Sequence, residues 1–191
     1  MKASGEDWIA GKELILKFYR MSGLPKLIAT DIDGVWTDGG MYYTESGDEF
    51  KRFNTYDSAG VVYCRLLDIP VAIITGEPSQ AVKRRAEKLK IVRCHTGVTD
   101  KLTVLQGICQ GLRISLSDVA YVGDDINDIP VLQKVGFSAC PSSAPIYIQQ
   151  LVTKVLTRKG GEGVFREFVE GILTEAGVLG PLIDKHYMGK R

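Results

Sequence analysis

The sequence predicts an α/β protein built on a doubly wound parallel sheet, with a small β-hairpin flap and no separate cap domain. Three observations carry that expectation. Short apolar runs recur at 26–31, 70–75, 91–95, 119–122 and 137–140, as strands buried on both faces of a parallel sheet do. Segments of helical character alternate with them, which implies right-handed crossovers and helices on both faces. Several runs end in polar residues, Asp31 and Asp33, Thr75, and Asp124 with Asp125 and Asp128. Open α/β sheets carry their chemistry just past the carboxyl ends of their strands.

Taken in order, residues 6–20 read as a helix, with Trp8, Ile9, Leu14, Ile15 and Phe18 at near-helical spacing and Lys12, Lys17 and Arg20 between them. Gly23 and Pro25 end it. It reads as an extension packed on the body or on another subunit; Glu6, Asp7 and Glu13 argue against a membrane-surface helix. The first strand follows, and then two β-prone runs, 41–44 and 49–53, around Glu45-Ser-Gly-Asp48, a hairpin signal. A helix is expected over 57–67 through Val61, Val62, Leu66 and Leu67. Pro78 suits the first turn of the next helix, 79–89. Asp100 suits the N-cap of a helix running to Gly111. A helix over 129–135 precedes the last strand, and the glycine cluster at 159–163 precedes a helix over 164–173. The expected organisation is an extension, 1–25, a catalytic domain, 26–173, and a weakly patterned tail, 174–191, with a further short helix.

The chain of 191 residues is 45% hydrophobic and 25% charged with a net charge of +1. That balance gives no support to a nucleic-acid or membrane partner. No apolar run is long enough to span a bilayer, and the first residues carry charge where a signal peptide needs an apolar core, so the cytoplasm is the expected location. Cys64, Cys94, Cys109 and Cys140 lack ligand spacing and read as small buried apolar residues.

The stretch 27–38 ends its apolar run in two aspartates one residue apart, Asp31 and Asp33. Two carboxylates so close are costly unless a cation or a proton offsets their repulsion. Phosphate-monoester hydrolysis is among the slowest uncatalysed reactions, and the polar strand ends supply what it needs. A carboxylate nucleophile splits it into two displacements, and a second carboxylic acid protonates the leaving oxygen and then activates water. Mg²⁺ takes oxygen ligands and screens anion from anion, while Thr75 and Lys101 suit the non-bridging oxygens.

Asp31-Ile-Asp33-Gly-Val, Thr75-Gly, Lys101 and Gly123-Asp-Asp-Ile-Asn-Asp128 resemble the four motifs of the haloacid dehalogenase superfamily. Residues 27–173 resemble its capless subgroup, the 3-deoxy-octulosonate 8-phosphate phosphatases, and within it most closely the 2-keto-3-deoxynononate 9-phosphate phosphatases. The long shared stretches are 30–41, 84–90 and 160–169. The resemblance implies Asp31 as nucleophile and metal ligand, Asp33 as general acid/base with its carbonyl on Mg²⁺, and Asp124 as the third protein ligand. It implies Thr75 and Lys101 as phosphoryl binders and Asp128 as the residue that positions Lys101 or metal-bound water. Asp125 and Asn127 are expected in supporting or helix-capping roles.

Where octulosonate enzymes usually read Thr-Gly-Arg, this chain has Thr75-Gly76-Glu77. A carboxylate accepts hydrogen bonds from sugar hydroxyls, whereas an arginine seeks a carboxylate. Arg85 and Lys88 share a helix face, and the resemblance points them at the sugar acid, or else they belong to a solvated basic face. Thr37, Asp38 and Arg166 are further candidate substrate contacts. The resemblance also implies a homotetramer in which the hairpin of one subunit closes a neighbour's site, and it likens Gly160-Gly-Glu-Gly163 with Arg166 to the family's C-terminal closing segment. The expectation is a Mg²⁺-dependent phosphatase of a sialic-acid-type nononate 9-phosphate. The alternatives are octulosonate 8-phosphate, or a non-catalytic oligomerisation module like the domain fused to acylneuraminate cytidylyltransferases.

Overall fold

The computed structural model describes residues 23–189, so the helix expected over 6–20 lies outside the described residues. Strands β1 (Leu27–Thr30), β4 (Val71–Ile74), β5 (Arg93–His95), β6 (Val119–Val122), β7 (Phe137–Cys140) and β8 (Lys154–Val155) form one parallel sheet. Its order is β5-β4-β1-β6-β7-β8. β1 is central, pairing Ile28 with Val71 on one side and Ala120 on the other. Strands β2 (Tyr42–Tyr43) and β3 (Glu49–Phe50) make the antiparallel hairpin, pairing Tyr42 with Phe50 and Tyr43 with Glu49.

Because side chains alternate across a strand, each central strand feeds two cores. Ile28, Ile73, Ala120 and Val122 face one cluster; Leu27, Ala29, Ala72, Ile74, Val119 and Tyr121 face the other. Helices α1 (Asp57–Leu66), α2 (Gln80–Leu89), α6 (Val164–Glu175) and α7 (Leu179–His186) cover the first face, and α3 (Lys101–Leu112), α4 (Ile129–Leu132) and α5 (Ile146–Gln149) the second. The chain leaves β1 toward β4 and leaves β6 toward β7, so the connections part between β1 and β6. That is where an open α/β sheet forms its crevice.

The structure departs from the sequence expectations in small ways with local causes. Ser79, not a residue of the helix, is the extended N-cap of α2, which puts Pro78 ahead of the helix rather than in its first turn. α4 ends at Leu132 instead of 135. β8 and α5 were not expected: a two-residue edge strand and a one-turn helix carry no readable period. The boundary expected at 173/174 falls inside α6, and α7 folds back so that Leu182 is buried in the first core.

Candidate active site

Three strand ends meet at the crevice. Asp31 follows β1, Thr75 follows β4 and Asp124 follows β6, and all three line a cleft of about 350 Å³. The backbone turns sharply after β1: Val35, Trp36 and Thr37 donate their N–H groups to Ile32 O. Trp36 is buried, stacks on Phe165 at 4.6 Å between centroids and donates Nε1 to Thr30 Oγ1 at 3.0 Å. The turn passes close to the opposite wall. A Cβ on Gly34, which has φ +81°, would lie 1.9 Å from Asp124 Oδ2, so only glycine fits. The glycine-rich segment packs under the same turn. A Cβ on Gly160 would lie 2.0 Å from Gly34 O, and Gly161 donates to Val35 O at 3.0 Å. The segment expected to close a site therefore braces the turn beneath Asp31's own loop.

Lys101, at the first turn of α3, is 1% exposed. Its Nζ lies 2.8 Å from Asp31 Oδ2 and 2.7 Å from Asp128 Oδ1. Asp128 is fully occupied. Oδ1 also accepts from Tyr121 OH at 2.5 Å, and Oδ2 accepts the backbone N–H groups of Asp124 and Asp125 at 3.0 and 3.2 Å. Burial, then the charge of Asp128, pushes the Tyr121 phenol far above its ordinary range, so it stays a donor. Sequence reasoning missed Tyr121, which reads only as one more apolar residue of β6.

One oxygen each of Asp31, Asp124 and Asp128 lie within 4.8 Å of one another. Since Asp128 is spent, the free acceptors are Asp31 Oδ1 and Asp124 Oδ1, both buried and without a partner. Burial, then the charge of Asp128, lifts Asp31 to about 7 against the pull of Lys101. Burial, then Asp31 and Asp128, lifts Asp124 to about 8. Orphaned carboxylate oxygens crowded this way are the donor set of a hard divalent cation, and the residues present fit one.

Asp33 lines the same cleft but stands outside that triad. Its Oδ1 accepts from Lys51 Nζ at 2.7 Å and from Thr37 Oγ1 at 3.2 Å, while Oδ2 is buried without a partner. Lys51 lies just past β3 and also reaches Glu49 at 3.3 Å. Burial works against its charge, but hydrogen bonds and charge from Asp33 and Glu49 outweigh burial and raise its pKa. Lys51 was also missed; one lysine between Phe50 and Arg52 on a short flap carries no distinguishing signal.

The remaining expected residues divide. Asp38, Gly76, Glu77, Asp125 and Asn127 line the cleft with the catalytic candidates. Thr37 is buried behind them, and Asp125 caps the turn at 126–128 through Ile126 N at 2.7 Å. Arg85 and Lys88 instead line an adjoining groove with Phe50, Lys51 and Phe53 of the flap region. Arg85 Nη2 is engaged by Asn54 O and Ser58 Oγ, each at 3.0 Å. Arg166 does not join the cleft: its Nε is 2.7 Å from Glu170 Oε1 and its guanidinium lies over Tyr56. Nearby, Asp57 is wholly buried at the start of α1 and meets the start of α6, where its Oδ1 accepts from Arg166 N at 3.2 Å and its Oδ2 has no partner. Burial lifts it to about 6 against the backbone hydrogen bonds of Arg166 and Phe165.

Known proteins resemble this chain along most of its length. The family described as haloacid dehalogenase-like hydrolase matches residues 88–168. The 3-deoxy-D-manno-octulosonate 8-phosphate phosphatase KdsC of Haemophilus influenzae is 35% identical over 152 residues, 80% of this chain and 84% of that protein. KdsC of Escherichia coli K12 is 38% identical over 157 residues, 81% of this chain and 82% of that protein. The crystal structure of the Moraxella catarrhalis 3-deoxy-D-manno-octulosonate 8-phosphate phosphatase, in complex with magnesium ion, phosphate ion and KDO, superposes with a TM-score of 0.83 at 34% identity, covering 91% of this chain and 97% of that one. A probable YrbI family phosphatase from Pseudomonas syringae gives 0.85 at 34% identity, covering 94% and 99%.

Proposed function

Because the chain belongs to the haloacid dehalogenase-like hydrolases, we propose that it is a Mg²⁺-dependent phosphatase of a 3-deoxy-2-keto sugar acid, with 3-deoxy-octulosonate 8-phosphate as its substrate. The observation that carries the reaction class is the buried contact of Lys101 with Asp31 and Asp128, beside the orphaned oxygens of Asp31 and Asp124. The substrate rests on relatives named for it that span most of this chain. They favour the eight-carbon acid over the nononate reading.

In the first displacement an Asp31 oxygen bonds to phosphorus as the bond to the sugar oxygen breaks, and the proton of Asp33 passes to that leaving oxygen. In the second, a water oxygen attacks the aspartyl-phosphate, its proton returns to Asp33, and Asp31 leaves. Lys101 and Thr75 bind the transferring group, where negative charge gathers, and Asp128 with Tyr121 keeps Lys101 aimed at Asp31. Asp31, Asp124 and the Asp33 carbonyl would hold Mg²⁺, whose charge would screen the anionic nucleophile from the anionic ester.

One observation favours a second reading. Glu77 stands in the cleft where octulosonate enzymes usually carry arginine, and a carboxylate there suits the longer polyol of a nononate 9-phosphate. Tyr42 and Phe50, cross-strand partners exposed on one face of the flap, support assembly as a homotetramer in which neighbouring subunits close the sites. Specificity constants for phosphate release from the eight- and nine-carbon acids, with and without Mg²⁺, test the proposal. A clear preference for the nine-carbon ester selects the second reading, and inertness toward both, in a chain that sediments as a tetramer, selects an assembly module.

A further inference from the structure

We infer that Lys51, on the flap, is a positioning residue for Asp33, tying down one carboxylate oxygen so that the other is presented to the leaving group. The inference rests on Asp33 being the group that protonates that oxygen. A carboxylate turns easily about its terminal torsion, a broad two-fold well, so an untethered acid spends much of its time with neither oxygen in line. Here Oδ1 takes two donors, Lys51 Nζ at 2.7 Å and Thr37 Oγ1 at 3.2 Å. Oδ2 has none, although it is buried in a residue that lines the cleft. The division is complete: one oxygen is for holding and one is for chemistry.

The holding side is itself held. The Lys51 side chain is shut off from solvent, and its ammonium is shared with Glu49 at 3.3 Å. The register of β2 with β3 fixes Glu49 opposite Tyr43, so the strand pairing of the flap sets where the ammonium sits. Thr37 belongs to the turn that carries Asp33, whereas Lys51 comes from a separate piece of chain. The placement of the flap is thereby linked to the orientation of the acid, and a flap that lifted would release Asp33 Oδ1 to its hydroxyl partner alone.

The test exploits the leaving group. A sugar alkoxide needs a proton as its bond to phosphorus breaks; p-nitrophenolate does not. Leaving-group release is followed in single turnovers of the full-length chain with Mg²⁺, for 3-deoxy-octulosonate 8-phosphate and for p-nitrophenyl phosphate. Lys51→Met is expected to slow the sugar phosphate by about tenfold or more and the aryl phosphate by less than about threefold, a fraction of what a general acid contributes. Half-saturating concentrations should stay within about twofold, and Lys51→Arg, which restores a donor, should recover part of the loss. Equal losses on the two esters, or no loss on either, overturn the inference and leave the phosphatase reading intact. A wild-type chain inert toward both esters overturns that reading and the inference with it.

Discussion

The floor of the cleft and its rim are built from the same kinds of residue, charged side chains near strand ends, yet they are held in different ways. On the floor, Asp31, Lys101, Asp128 and Tyr121 are almost wholly buried and contact one another, on strands and a helix fixed by the sheet. On the rim, Arg52 reaches Asp38 at 3.5 Å with both side chains partly exposed, and Glu77 is exposed. Buried pairs are costly to break, because removing one partner strands a charge, whereas exposed pairs contribute little. The floor therefore has one arrangement and the rim has several of similar energy. On the proposed function, the floor carries the reaction class and the rim the choice of substrate.

The sharpest way to break the comparison is at its centre. Asp31→Asn should reduce phosphate release by on the order of 10⁴-fold or more, since a displaced nucleophile removes the pathway rather than one contribution to it. The fold should not suffer. Lys101 keeps Asp128 as its partner, and the substitution removes a carboxylate that burial and Asp128 already disfavour, so the thermal midpoint should hold or rise. Retained turnover, or a variant that melts well below wild type, would contradict the reading of the floor as a preformed site.

The next effect follows from protons competing with the cation. Metal-free, Asp31 sits near about 7 and Asp124 near about 8, so binding Mg²⁺ in this range must expel protons. Affinity should fall on the order of 100-fold as pH drops from about 8 to about 6, and calorimetry in buffers of different ionisation enthalpy should register the released protons. Stability of the metal-free chain moves in the opposite sense. These two carboxylates hold more protons in the folded state than in the unfolded one from the ordinary carboxylate range up to about 8, so their contribution to stability is full in acid and is lost as pH rises through that window. Mg²⁺ should raise the melting temperature more at about pH 8 than at about pH 6. A pH-independent affinity would mean that the two carboxylates are not the ligands.

Tyr121→Phe probes the layer under the floor. Deleting the hydroxyl leaves Asp128 Oδ1 with Lys101 alone and loosens the aim of the ammonium on Asp31. The loss of a buried hydrogen bond to a charged group, roughly 1.5–3 kcal/mol, should appear as about a tenfold drop in kcat with KM nearly unchanged. An equal rise in KM would place Tyr121 in substrate binding instead.

How much of this was legible in the sequence follows the same division. Asp31, Thr75 and Asp124 stand at strand ends that apolar runs mark out, with Lys101 at the helix start that follows β5, and a parallel sheet brings such ends together whatever lies between. Tyr121 was hidden because a buried tyrosine and a buried phenylalanine leave the same mark in an apolar run; only the contact with Asp128 tells them apart. Lys51 was hidden because its partner lies 18 residues away, across a flap of two-residue strands. Arg85 and Lys88 share a face as their spacing required, but which surface that face meets depends on the flap, and they line its groove rather than the cleft. β8 and α5 are too short for any period to show.

The smallest expected effect lies on the rim and decides the substrate. Glu77 lines the cleft beside Gly76, in the turn between β4 and α2. Its carboxylate can only accept hydrogen bonds when ionised, so it favours hydroxyls and repels an acid. Arginine at the same place would reverse both preferences. Glu77→Arg should therefore shift the ratio of specificity constants toward the eight-carbon acid by a few-fold to about tenfold, because a single rim contact seldom discriminates more. The turnover of p-nitrophenyl phosphate, which presents neither group, should change by less than about twofold. A ratio that does not move would show that the rim reads its substrate elsewhere, and the groove of Arg85 and Lys88 beneath the flap would be the place to substitute next.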